Sequence, residues 1–72
     1  MENPQIEQLK KLIRLELSEC NAEKWPNTCA LQSTSEGYAR VEAMIIRHVA
    51  KEGMPIGSAI AFIEQELTHQ IH

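Results

Sequence analysis

Cys20, Cys29, His48, His69 and His72 are the residues of this chain whose chemistry reaches beyond ordinary surface charge. Thiols and imidazoles bind zinc, and either can take part in nucleophilic catalysis. Structural zinc sites bring their ligands in pairs roughly two to four residues apart. Neither cysteine has a second ligand at that spacing. His69 and His72 stand about one helical turn apart, but a two-histidine site at a chain end lacks the further ligands a metal requires. No metal and no cofactor is expected, and no metal-ligating or catalytic residue is assigned.

Nucleophilic catalysis by Cys20 or Cys29 would need a neighbouring histidine, a third group to orient it and a cleft for substrate. Ligand pockets usually exceed about 300 Å³, and a few short helices are expected to leave little such room. The carboxylates are spread as surface charges and not gathered as an acid–base pair. His48 fits a satisfied, partly buried histidine on the side of a helix. The chain is therefore read as non-enzymatic, with no small-molecule substrate inferred.

The segment Met1-Glu2-Asn3-Pro4-Gln5 has no basic stretch leading into an apolar run, from which a cytoplasmic location is expected. In that reducing setting Cys20 and Cys29 are expected as free, half-buried thiols. No run of the sequence approaches the roughly 18 apolar residues of a membrane span, so no membrane role is expected.

These residues have to be positioned by a small chain. At 72 residues, only about 60% of the unfolded surface can be buried on folding, and domains of this size usually gain a staple, a metal or a partner subunit. Hydrophobic residues make up 43% and charged residues 24%, which places the chain among folded proteins. The seven Lys and Arg against ten Asp and Glu give a formal charge of -3. Such a field repels phosphate backbones and anionic lipid.

Apolar spacing predicts three helices in a single domain spanning 1–72. The first covers about 4–20, with Asn3 as cap, Pro4 at its first position, and Ile6, Leu9, Ile13, Leu17 and Cys20 as its stripe. The segment about 21–33 reads as a long loop with room for a single turn. Its Trp25 is expected to fold over the core and direct its indole N–H to a carbonyl or water, a partner contact being the alternative. The second helix, about 34–52, is expected to start at a capping box formed by Ser33 and Glu36, or at Ser35, and to end before Gly53. Gly37 in its first turn should weaken it by about 1 kcal/mol. Tyr38, Val41, Ile45, His48 and Val49 form its stripe. The third helix, about 55–70, carries Ile56, Ile60, Ile63, Leu67 and Ile71, with Glu64 and Glu66 on its polar side. The expected fold class is all-α, a small three-helix bundle in which the second and third helices form a helix-turn-helix hairpin.

Leu12, Leu15, Ile46 and Phe62 fall off these stripes. At about 100° per residue, Leu15 lies almost opposite the stripe of its helix. Surplus apolar residues, an acidic surface and no chemistry suggest an interaction module that pairs with itself, as a homodimer, or docks on a larger protein. Leu12, Leu15, Ile46 and Phe62, with Trp25, are the expected contact residues. A helix-turn-helix DNA-binding or transcription-regulatory module is the alternative, because Val49 to Ile56 resembles a tight glycine turn between two helices. The helix that would enter the groove, from Pro55 to His72, contains no Lys or Arg and carries Glu64 and Glu66. Phosphate positioning and guanine readout thus lack their usual residues, and nucleic acid is not the expected partner.

Overall fold

The computed structural model describes residues 3–70, with the side chain of Gln70 excepted. Ile71 and His72 lie outside the described residues, and with them the last position of the predicted isoleucine stripe and half of the His69–His72 pair. The described chain holds four helices and no strand.

Helix α1, Pro4–Ser18, begins as its sequence dictates. Asn3 Oδ1 accepts from the Gln5 N–H at 2.9 Å, and Pro4 occupies a position whose N–H would have no helical acceptor. The helix closes earlier than the apolar stripe suggests, because the Glu19 and Cys20 N–H groups donate to the Glu16 and Leu17 carbonyls at 3.2 and 3.1 Å. These shorter-range bonds tighten the chain out of the α form.

The segment expected to be a loop contains α2, Pro26–Leu31, so the three-helix count is corrected to four. Asn21 turns the chain into it: the Asn21 side chain accepts from the Glu23 N–H at 2.8 Å, and its carbonyl accepts from Trp25 N–H at 2.7 Å. Six residues are too few to display a helical period, and isolated helices shorter than about 12 residues are marginal in water. Contacts with the rest of the molecule sustain α2.

Helix α3, Ser35–Glu52, is capped by Thr34, whose hydroxyl accepts from the Gly37 N–H at 3.0 Å. Neither expected cap is used. The Ser33 hydroxyl instead donates to the Ala30 carbonyl at 2.7 Å, satisfying the end of α2. Gly37 is buried, and a Cβ built on it would collide with the carbonyl of Leu31. Its role is therefore the close approach of α3 to the end of α2, which outweighs its helix propensity. Gly53 ends α3 at φ 69°, a left-handed conformation that glycine adopts without a side-chain clash. Pro55 then leads into α4, Ile56–Gln70, its carbonyl accepting from Ala59 N–H at 2.9 Å.

The core lies between the three long helices. Ile13 and Leu17 from α1, Val41 and Ile45 from α3, and Ala59, Ile60, Ile63 and Leu67 from α4 are buried together. Helices α3 and α4 pack as the hairpin expected through Gly53, α1 lies against both, and α2 packs on α4 and α3. Ile46 and Trp25 are half-buried against this core. Lys24 Nζ sits 4.9 Å from the centre of the Trp25 ring.

Cys20 and Cys29 are joined in a disulfide, with their Cα atoms 6.2 Å apart. The free-thiol expectation is therefore overturned. Spacing along the chain could not reveal the pairing, because the turn through Asn21 and the docking of α2 bring Cys29 back to the end of α1. A second link reinforces it, the Gln32 Nε2–H donating to the Leu17 carbonyl at 3.0 Å.

Candidate functional site

Two surfaces retain large apolar side chains. On α1, Leu12 is 48% and Leu15 59% exposed. The buried side of that helix is defined by Ile13 and Leu17, and a rotation of about 100° per residue places Leu15 directly opposite them. Leu12 and Leu15 thus mark an outer face that the fold leaves uncovered. Lys11, Arg14 and Glu16 surround it, all exposed.

The second surface lies along the α3–α4 hairpin, where Phe62 is 43% exposed. Its ring packs at 4.9 Å, tilted by 56°, on the imidazole of His48. His48 Nδ1 lies 3.0 Å from Glu52 Oε2, one turn along α3, and Nε2 lies 3.4 Å from Glu66 Oε1 on α4. Two open grooves flank Phe62. One of about 510 Å³ follows the Gly53 turn and includes Met54, Pro55 and Ser58; the other, about 330 Å³, runs between Met44, Arg47, His48 and Glu66.

Both ring nitrogens of His48 face carboxylates. Cys20 and Cys29 are bonded to one another, which removes the thiolate that nucleophilic attack or metal binding would require. Among the described residues no group of three or more His, Cys, Asp or Glu is placed to hold a metal ion. His69 is exposed near the end of α4.

The most developed polar arrangement was read in the sequence only as part of a polar face. Glu64, 8% exposed, turns towards α2. Its Oε1 accepts from the Thr28 N–H at 2.8 Å, and its Oε2 accepts from the Asn27 N–H at 3.2 Å and from Asn27 Nδ2–H at 2.8 Å. Asn27 Nδ2–H also donates to Thr68 Oγ1 at 3.0 Å. Trp25, at the cap position of α2, has no side-chain acceptor to offer. The carboxylate of α4 takes that part, meeting both the orphan N–H groups and the positive end of the α2 dipole. Burial opposes ionisation of Glu64, but the hydrogen bonds from Thr28 and Asn27 outweigh it and hold the carboxyl below the usual carboxylate range. This cluster ties α2 to α4, and the Thr28 hydroxyl beside it is buried without a hydrogen-bond partner.

The chain matches no family model, no curated protein and no solved structure. Its candidate site thus rests on exposure and chemistry alone. Of the expected contact residues, Leu12, Leu15 and Phe62 present substantial surface, whereas Ile46 and Trp25 spend most of theirs on the core. The exposed three divide between separate elements: the leucines occupy the outer face of α1, and Phe62 the grooves beside His48. No helix among the described residues is long and apolar enough to cross a membrane.

Proposed function

We propose that this chain is a non-enzymatic interaction module that associates with itself through the outer face of α1. The observation that carries this reading is the exposure of Leu12 and Leu15 on a helix whose opposite side already fills the core. A short helix in a small domain gains nothing for its own fold from two uncovered leucines, and apolar surface of this kind is removed from water by association. Phe62 is the lesser contact, because part of its ring is already engaged with His48. The Cys20–Cys29 bridge further supports action in an oxidising setting, where such bonds persist, in place of the cytoplasmic one. DNA binding is the weaker reading, since α4 offers no Lys or Arg to a phosphate backbone.

Molar mass by light scattering over a concentration series, at low and high salt, tests the proposal. The mass should rise above 8.2 kDa with concentration and stay raised in high salt, as an apolar contact requires. Leu15→Glu should return the protein to the monomer with its helical circular dichroism intact. A chain that is monomeric at every concentration and salt would overturn self-association.

A further inference from the structure

The charges around Leu12 and Leu15 contain a directional pattern. Gln5, Gln8, Leu12 and Leu15 follow one another at alternating steps of three and four along α1, Glu19 at its C-cap stands four further on, and all are exposed. This is the spacing of a coiled-coil seam, with leucine at its third and fourth positions. Lys11 and Glu16, also exposed, border the seam on opposite flanks. They stand in the relation at which, in parallel helices, a residue before one core position meets the residue following the next core position of the partner helix.

Resting on the self-association reading, we propose that two copies pair along α1 in parallel. Leu12 and Leu15 pack on their counterparts, and Lys11 of each copy pairs with Glu16 of the other. Symmetry decides the direction. A two-fold axis running along the seam brings opposite flanks together, so each Lys11 faces a Glu16. An axis perpendicular to the helices brings like flanks together, placing Lys11 near Lys11 and Glu16 near Glu16. The parallel form therefore replaces two repulsions by two attractions, and its contact is self-complementary, as a closed dimer requires. The seam lies on the far side of α1 from Ile13 and Leu17, so the two protein bodies fall to opposite sides without contest for space. Glu19 meets its own copy at one end of the seam. That like-charge contact, with only two leucines in the seam, makes a weak and reversible dimer.

Charge reversal at the flanks tests the arrangement on the full, oxidised chain. Dimer dissociation constants would be measured by sedimentation for the unaltered protein, for K11E, for E16K and for K11E/E16K, with circular dichroism confirming equal helicity. Each single change turns both cross-pairs into repulsions and should weaken the dimer on the order of ten-fold, while the double change exchanges the charges and should restore it. Raised salt should shrink the differences between the four proteins. A dimer that both single variants leave unchanged would overturn the parallel seam while leaving self-association standing. An unaltered chain that stays monomeric throughout would overturn both.

Discussion

At Glu64 a charge is held almost out of water by backbone donors of another helix. Replacing it with glutamine keeps the shape but removes the charge that the α2 N–H groups favour, and we expect E64Q to lose about 1–3 kcal/mol of stability at neutral pH by urea titration. The pH dependence follows from the same contacts. The folded carboxyl ionises at a lower pH than the unfolded one, whose value is about 4.3. Its contribution is therefore complete above the unfolded value and disappears as pH falls through the folded one. The gap between the native chain and E64Q should close across that acid window; a constant gap would mean the carboxylate is not the group that matters. Gly37 makes the contrary case, where a helix-favouring change is harmful. Alanine should strengthen an ordinary helix by about 1 kcal/mol, yet its methyl has no room beside the Leu31 carbonyl. G37A should lower the stability by about 1–3 kcal/mol through overpacking, measured by thermal unfolding, and a gain would refute the close approach.

Among the elements, α2 depends most on its surroundings. The disulfide secures it to α1, Glu64 caps it from α4, and Ser33 closes its last turn. A serine pair at positions 20 and 29 removes the covalent tie. For a loop of this length, C20S/C29S should cost about 2–3 kcal/mol in urea unfolding, and reduction of the native chain should match it. The long helices were legible in the sequence because their signals are local: Asn3 and Pro4 start α1, Gly53 ends α3, and the apolar stripes recur at helical intervals along all three. The signals of α2 are not local. Glu64 stands beside Gln65 and Glu66 and carries no mark in the sequence that it turns inwards, since what draws it in are N–H groups on a distant helix. Cys20 and Cys29 show their spacing but not the turn that brings them together. Gly37 shows its low propensity but not the carbonyl that excludes a side chain.

For the molecule as a whole, the core consists of aliphatic side chains from three helices, modest for an independent domain. A disulfide and a carboxylate cap supply what packing of that extent leaves wanting, and pairing of α1 would supply more. The Leu12–Leu15 face was legible because helical geometry assigns residues to sides before any coordinates exist. The grooves beside Phe62 were not, because their walls come from two helices whose approach no single stretch encodes. The capping of α2 from α4 also couples the two helices. A helix of six residues is marginal by itself, and the carboxylate that completes its first turn stands on α4. Loss of the shortest element of the molecule would thus report that α4 has moved.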